Sequence, residues 1–277
     1  MITAQSLADG GPYTDTMTVP DHVTRLWRAL DDCFGSVAPT WWGAVVTDGR
    51  YPAISDANYA RIDVASDDLT AADVEADLLP ALLAVGTGVM HVVSFDPDAT
   101  GPLLAELSTR GHRLTFDLVM DLEGPAEPPD AAVEVEELPL DGALWERVAA
   151  SLDLFGVEDA DAVRQLRDIE RDVMALGGKR WFGVRDDEGT VASLGALVVL
   201  EGVGYLDNVA TFHEARGRGL ASAITMRMAL EAGAAGAAHV CLLADPDATP
   251  VVRMYERLGF RGVGRLAATR GSVPTPD

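Results

Sequence analysis

The chain has 277 residues and a formal net charge of −23, with 44 acidic side chains against 21 basic ones. A strong negative field repels other polyanions, so neither nucleic acid nor an anionic membrane is expected as a partner. The length is sufficient for two domains of ordinary size, and an apolar content of 48% is enough to form their cores.

Several absences narrow the class of protein further. Cys33 and Cys241 both lie in apolar patterns, which predicts buried free thiols rather than a disulfide framework. The first residues contain no basic segment followed by an apolar one, and no apolar run reaches the roughly 18 residues of a membrane span. The five histidines show no metal-ligand spacing, so no metal is expected. The sequence therefore predicts a soluble, cytoplasmic protein.

The first part of the chain predicts a helix, a strand meander, and then helix, strand, helix and strand. The predicted helices lie at 21–34, 70–85 and 103–109, and the strands at 41–47, 51–54, 59–64, 89–95 and 114–122. Asp48-Gly49 is typical of a hairpin turn between the first two strands. Thr70 is a good helix N-cap, and Pro80 is expected to kink the helix that Thr70 begins.

A segment rich in proline and acid divides the chain. Residues 123–130 contain three prolines and three acids, which predicts a linker. We place the linker at 125–131, between a first domain at 1–124 and a second domain at 132–277.

The second part predicts an open sheet, mostly antiparallel, with helices on both faces. Its predicted strands lie at 132–136, 180–185, 191–200, 203–212 and 240–244, and its helices at 142–154, 160–176, 220–235 and 249–258. The helix at 220–235 is a crossover, so the strands before and after it are expected to be parallel neighbours. The whole chain is thus predicted to be a mixed α/β protein.

A basic, glycine-punctuated turn separates the predicted strand at 203–212 from the crossover helix. The turn reads Arg-Gly-Arg-Gly from Arg216 to Gly219. The first N–H groups of a helix lack intrahelical partners and carry partial positive charge, and glycine lets a bulky anion come close to them. Strand, turn and helix therefore predict an anion cradle; a solvated turn is the alternative.

The order and spacing of these residues resemble the acetyl-CoA loop of the GNAT N-acetyltransferases. That loop reads (Arg/Gln)-x-x-Gly-x-(Gly/Ala), and Arg216, Gly219 and Ala221 fill its fixed places. A second block, residues 254–260, resembles the closing Leu-Tyr-Glu-x-x-Gly-Phe motif of the same family. Both blocks occur in the family's order, and the resemblance covers residues 179–268.

The resemblance implies a fold, a reaction and a cofactor site. The fold is a pair of tandem GNAT-like acyl-CoA N-acyltransferase folds, with mostly antiparallel sheets flanked by helices. The reaction is transfer of acetyl from acetyl-CoA to a primary amine of a small molecule or peptide by direct attack, without a metal. Val209, Ala210 and Thr211 would take the pantetheine arm. The pyrophosphate would be held by Arg216, Gly217, Arg218, Gly219, Leu220 and Ala221.

Two residues are candidates for catalysis. Tyr255 occupies the family's thiolate-protonating place, and a phenol with a pKa near 10 suits a thiol near 8.5. The alternative for Tyr255 is a core aromatic. Asp207 shares a strand face with Tyr205 and Val209, in a part of the strand where many members of the family place a carboxylate or a water-holding polar group. The resemblance therefore makes Asp207 the candidate general base, acting directly or through water. The alternative for Asp207 is an aspartate on the surface or in a turn.

The first domain repeats the element order of the second but lacks the basic glycine turn. We interpret it as a degenerate GNAT-like copy; an unrelated small α+β domain is the alternative. The crossover helix of the first domain begins near four acids, Asp67, Asp68, Asp73 and Glu75, whose charge repels a pyrophosphate. One acetyl-CoA per chain is therefore expected.

Partner and function alternatives stay open at this stage. The acidic first domain suggests a cationic amine substrate, and the protein is expected to be a monomer or homodimer. A non-catalytic acyl-CoA-binding or sensing protein is the alternative function, and a structural module that lost the cofactor is a third.

Overall fold

The computed structural model describes residues 18–64, 66, 68–127 and 133–273, and the strands within them form one sheet. The strands are β1 (Ser36–Pro39), β2 (Gly43–Thr47), β3 (Tyr59–Ile62), β4 (Val89–Ser94), β5 (Arg113–Leu122), β6 (Glu136–Glu137), β7 (Arg180–Arg185), β8 (Val191–Leu200), β9 (Val203–Thr211), β10 (His239–Ala244) and β11 (Phe260–Ser272). The helices are α1 (Asp21–Asp31), α2 (Ala71–Val85), α3 (Gly101–Thr109), α4 (Gly142–Ser151), α5 (Ala160–Ile169), α6 (Leu220–Ala234) and α7 (Thr249–Arg257).

The last strand of each half lies inside the other half's part of the sheet. The strand order is β1-β2-β3-β4-β11-β5-β10-β9-β8-β7-β6. Strand β5, from the first half, is antiparallel to β10 on one edge and to β11 on the other. Strand β11, from the second half, is antiparallel to β5 and to β4. The two halves therefore exchange strands, and neither half contains a complete sheet of its own.

The two halves repeat one element order, as the sequence predicted. In the first half, β3 is parallel to β4 and is connected to it through α2. In the second half, β9 is parallel to β10 and is connected to it through α6. The repeat agrees with the predicted pair of related folds, and the interpretation of the first half as a degenerate copy stays a prediction.

Two glycines bring α6 close to the sheet. A Cβ on Gly204 of β9 would lie 2.4 Å from the Cβ of Ala232, and one on Gly195 of β8 would lie 2.9 Å from Ile224 and Met228. Real Cβ atoms do not approach that closely, so any larger residue would push the helix away. The last turn of α6 is thereby fixed against the beginning of β9, and the middle of the helix against β8.

The structure corrects several predicted elements. The first hairpin joins β1 to β2 and turns at residues 40–42, whereas residues 51–54 form no strand. The helix predicted at 70–85 is confirmed as α2, which includes Pro80. The helix predicted at 160–176 ends at Ile169 and is followed by a π-helical turn, Glu170–Met174. Strand β11 was missed, and the strand predicted at 132–136 begins outside the described residues, with Glu136–Glu137 its only paired part.

The exchanged strands predict that the second half does not fold alone. In a fragment of residues 133–277, β11 would lose both neighbours and β10 would lose one, exposing apolar strand faces. We expect the fragment to show no cooperative thermal unfolding by circular dichroism. Adding the fragment 1–127 in trans should restore the transition. A cooperative transition of the isolated second half, at the Tm of the whole chain, would contradict the exchange.

Candidate active site

Strands β9 and β10 pair at one end and separate at the other. Their parallel register runs from Val203 opposite His239 to Leu206 opposite Leu242. From Asp207 onward β9 continues to Thr211, and no described strand pairs with that edge. An open strand edge presents N–H and C=O groups that can pair with an extended ligand. The predicted pantetheine residues, Val209, Ala210 and Thr211, lie on this stretch.

A β-bulge lies where the two strands separate. On the β8 side, Ala196 is opposite Asp207, but Leu194 is opposite Ala210, so β9 contains an extra residue. Asn208 has a φ of 53°, in the left-handed region, and its backbone N–H donates to Oδ1 of Asp207 at 2.8 Å. Bulges bend a strand and redirect its side chains, often beside active sites.

The glycine turn adopts the conformation that the anion-cradle prediction requires. Gly217 and Gly219 have φ values of 77° and 76°, and a Cβ added at either would meet nothing within 4 Å. Gly219 is the N-cap of α6 and provides no side-chain cap, so the first N–H groups face open space. Arg216 Nε donates to the carbonyl of Thr211 at 3.1 Å, which ties the turn to the end of β9. Leu220 is buried, so it anchors the turn from below.

A cavity of about 410 Å³ lies beside this turn. It is lined by Arg218 and Ser222 from the start of α6 and by Arg257 and Gly259 from the end of α7. The predicted loop residue Arg218 and the unpredicted Arg257 therefore face one space. Two guanidinium groups at an uncapped helix start suit a phosphorylated ligand. Glu123 and Glu127 line the same cavity and offset part of the arginine charge.

Tyr255 lies on α7 within the core of the second half. Its residue is 6% exposed, and its ring packs edge-to-face on Phe260 with centroids 5.9 Å apart. Burial, and to a lesser degree the charge of Asp207, raises the pKa of Tyr255 to about 12. The phenol therefore holds its proton at neutral pH but is a weaker acid than the sequence comparison assumed. Its role as the proton donor to a thiolate stays a prediction.

Asp207 belongs to a buried cluster that sequence reasoning did not find. Lys179, which is 4% exposed, donates from Nζ to Asp207 Oδ2 at 2.6 Å and to Glu170 Oε1 at 2.9 Å. Burial alone would lower the pKa of Lys179, but the two carboxylates raise it well above its usual value. The ammonium therefore stays charged and joins β9 to the helical segment before β7.

Glu170 is a second candidate for accepting a proton. Burial raises its pKa; Lys179 lowers it in part, and the charge of Asp207 raises it again. Its Oε2 is buried and has no hydrogen-bond partner. Glu170 also begins the π-helical turn, a rare conformation that is frequent at functional sites. The available sequence signal was that Lys179 is the single lysine of the chain.

A cavity of about 330 Å³ lies between the two halves and reaches the bulge. Asp207 and Asn208 line it from β9, and Trp27 and Tyr59 line it from the first half. Its charged lining comprises Asp56, Asp117, Glu170 and Asp207 against Lys179 and Arg270. Four carboxylates against two cations leave this cavity acidic.

Two histidines and an aspartate form another cluster, away from this cavity. His22, Asp121 and His239 have potential ligand atoms within 4.8 Å of one another, which their sequence spacing did not predict. The two imidazoles are stacked, with centroids 4.0 Å apart and planes 6° from parallel. An imidazole binds a metal in the plane of its ring, so one ion cannot satisfy both rings in this arrangement. His22 Nε2 instead lies 2.9 Å from Asp121, linking α1 to β5.

The counterpart of the cradle in the first half is closed. Thr70 and Asp73 form a capping box: Thr70 Oγ1 accepts from the Asp73 N–H, and the Thr70 N–H donates to Asp73. The N–H groups at the start of α2 are thus partly occupied by these two side chains, and Asp73 adds a negative charge there. Just after β4, the carbonyl of Phe95 accepts a hydrogen bond from the N–H of Val19 at 2.9 Å.

Comparisons with known proteins agree with this geometry. Residues 182–267 match the family described as FR47-like protein. A putative acetyltransferase of the GNAT family from Novosphingobium aromaticivorans DSM 12444 is 24% identical, with a TM-score of 0.50, over 76% of this chain and 86% of its own. A GCN5-related N-acetyltransferase from Kribbella flavida is 17% identical, with a TM-score of 0.53, over 91% of this chain and 94% of its own. No curated protein has a matching sequence.

Residues 182–267 are therefore similar to the FR47-like family, and the chain has the same fold as these GNAT proteins. A tandem GNAT protein from the clavulanic acid biosynthesis pathway is 14% identical, with a TM-score of 0.56, over 95% of this chain and 98% of its own. This similarity extends through both halves, in agreement with the tandem arrangement. Among the described residues, no helix combines the length and the apolar character that a bilayer span requires.

The buried cluster predicts a pH-dependent loss of stability in the variant Lys179→Met. Removing the ammonium leaves two carboxylates buried without a cation, which should cost about 3–5 kcal/mol at pH 8. Burial raises the pKa of Glu170, so without the ammonium this carboxylate binds a proton in the folded state at pH values where the unfolded chain has lost it. The variant should therefore regain stability as the pH falls from 8 to 5. Chemical denaturation at both pH values measures this.

Arg180→Met is the matched control, because Arg180 is the next residue and its ion pairs with Glu137 and Glu231 are more exposed. It should lose about 1 kcal/mol or less. Equal destabilisation of Lys179→Met at both pH values would show that Asp207 and Glu170 do not share one buried site.

Proposed function

We propose that the chain is an N-acetyltransferase that transfers acetyl from acetyl-CoA to a primary amine. The open edge of β9, leading directly into an uncapped helix start at Gly219, is the observation that carries this proposal. An extended pantetheine arm would pair along residues 209–211, and the pyrophosphate would accept from the N–H groups of residues 216–221. Arg218 and Arg257 would meet the remaining phosphate charge.

The acetyl group would then lie at the bulge, beside the cavity between the halves. The amine nitrogen attacks the thioester carbonyl, the carbon–sulfur bond breaks, and the amine's proton passes to a carboxylate. Asp207 is the predicted base, but both of its oxygens accept hydrogen bonds, from Lys179 and Asn208. Glu170 Oε2 has no hydrogen-bond partner, so we propose that this oxygen accepts the proton. Asp207 is its neighbour in the same cluster.

The leaving thiolate takes a proton from Tyr255 in this proposal. With a phenol pKa of about 12, transfer to a thiolate near 8.5 is uphill by about 3.5 pKa units. The same observation favours a second candidate function, a non-catalytic acyl-CoA-binding or sensing protein. Acetyl-CoA binding without thiol release across a broad amine panel would favour the sensor. Thiol release that depends on the amine favours the transferase.

Gly219→Val should remove acetyl-CoA binding. A branched residue resists a φ of 76° and places its side chain in the open space before the helix start. Calorimetry on the wild type should give one acetyl-CoA per chain, since the first half's helix start is already capped. The variant should bind at least about 100-fold more weakly, a loss of about 2.7 kcal/mol.

Gly236→Val is the control, because Gly236 also has a positive φ, 86°, and open space around it, but lies beyond the other end of α6. Both variants should lose similar stability, while Gly236→Val should bind acetyl-CoA as the wild type does. A stoichiometry of two, or unchanged binding by Gly219→Val, would overturn the assignment of the loop.

Tyr255→Phe should lower kcat about 100-fold while leaving the acetyl-CoA Kd unchanged. The substitution keeps the ring that packs on Phe260, so the core should be retained. Stopped-flow measurement of thiol release must show that chemistry limits the rate in both proteins. An unchanged kcat under that condition would assign Tyr255 to the core alone.

A further inference from the structure

The cavity between the halves has a wall that the proposed acetyl transfer does not use. Asp207 and Asn208 lie at its acetyl-facing end. The other wall is built by β4, β11 and β5, which the strand exchange brings side by side. Asp117 on β5 lies opposite Leu266 on β11, and both side chains line the cavity.

Asp117 is the cavity carboxylate that no cation holds. Glu170 and Asp207 share Lys179, and Asp56 is paired with Arg270 at 2.8 Å. Within the described part of the chain, Asp117 has neither a hydrogen bond nor an ion pair, although it is half-buried. Burial raises its pKa, and Arg270 lowers it only in part. An unpaired, half-buried carboxylate beside a cavity is complementary to a cation from outside the chain.

His91 adds a buried acceptor to the same wall. It is 2% exposed, and its Nδ1 lies 3.1 Å from the carbonyl oxygen of Ser55, so Nδ1 carries the proton. Burial lowers the pKa of His91 to about 4, which keeps the ring neutral. Its Nε2 therefore has a free lone pair, and this atom is buried without a partner. The unsatisfied groups of this wall thus accept hydrogen bonds from a donor.

Aromatic rings form much of the remaining lining. Trp27 packs edge-to-face on Tyr205, with centroids 5.4 Å apart, and both rings line the cavity with Tyr59. Aromatic faces attract cations and pack against methylene groups. Apolar rings between two acidic ends suit a molecule with a hydrocarbon middle and positive ends.

We propose that the acceptor is an aliphatic diamine whose second ammonium is bound by Asp117, while its first amine reaches Asp207 and Asn208. This inference rests on the proposed acetyl transfer and names its substrate class. One amine must be uncharged to attack, whereas the other stays protonated and serves only for binding. Asp117 is then the residue that determines which amines are preferred.

Strand spacing sets the length of this acceptor. Asp117 on β5 and Asp207 on β9 are separated by β10, and continuing the two registers places them two residues apart along the strands. Two strand spacings of about 4.8 Å and a rise of about 6.6 Å put their backbones at least roughly 12 Å apart. A hydrogen bond of about 3 Å at each end leaves a gap for a chain of about four carbons. A cavity of about 330 Å³ has room for such a chain.

The test compares 1,4-diaminobutane with butylamine, which has the same carbon chain and one amine. The wild type should prefer the diamine in kcat/KM by about 10- to 100-fold, the value of a charge-assisted hydrogen bond. Asp117→Asn should reduce this ratio to near one, mainly by raising KM for the diamine. Asp98→Asn is the matched control, since it removes one negative charge from an exposed site outside the cavity. It should keep the wild-type ratio.

Three results separate the inference from the function on which it rests. If amines are acetylated but the diamine is not preferred, or the preference survives Asp117→Asn, the inference is wrong and the transferase stands. If no amine is acetylated, the proposed function is wrong, and calorimetry with 1,4-diaminobutane decides the inference. Binding by the wild type but not by Asp117→Asn would support the diamine site, and absence of binding by the wild type would overturn it.

Discussion

The hydrogen-bond ladders of β5 and β11 hold the two halves in one sheet. Each of these strands is the last of its half, and each is placed between two strands with which it makes antiparallel ladders. The sheet is therefore continuous from β1 to β6, and its centre is made of exchanged strands. The cavity between the halves has a rigid wall for this reason, because β4, β11 and β5 cannot separate without breaking both ladders.

The two crossover helices, α6 and α2, differ in how their first N–H groups are treated. At α6, positive-φ glycines and the lack of a side-chain cap leave the first N–H groups available. At α2, Thr70 and Asp73 occupy the equivalent groups and add negative charge. The difference is a few side chains at a helix start, yet it separates an anion site from a purely structural turn. In the proposed function, this difference lets the second half hold the cofactor while the first half forms a wall of the cavity.

Local pattern was enough to predict much of the second half. Strands β7 and β8 have the predicted bounds, because their apolar runs end at clear turn residues such as Gly189 and Gly202. The glycine turn from Arg216 to Gly219 also lies where its spacing placed it. Strand β11 was missed because its partners, β4 and β5, are far away in sequence, and its glycines and arginines do not alternate cleanly with apolar residues.

The buried cluster of Lys179, Glu170 and Asp207 could not be predicted from local sequence pattern. Lys179, Glu170 and Asp207 come from three separate segments and meet only in the folded chain. Nothing in the sequence around Glu170 distinguishes it from the other acids of a very acidic protein. Asp207 was predicted as a site residue because it lies on the strand that leads to the glycine turn. Its partners, Lys179 and Glu170, could be identified only from the folded structure.

The position of Lys179 has a chemical consequence for a protein that handles an activated acyl group. It is the only lysine in the chain, and the fold keeps its amine buried, charged and bound by two carboxylates. A protonated amine has no lone pair with which to attack a thioester. The protein therefore offers no lysine side chain to its own donor, and its surface cations are guanidinium groups, which resist acylation at neutral pH. Slow self-acylation of lysine, a hazard for proteins that hold thioesters, is therefore not expected in this chain.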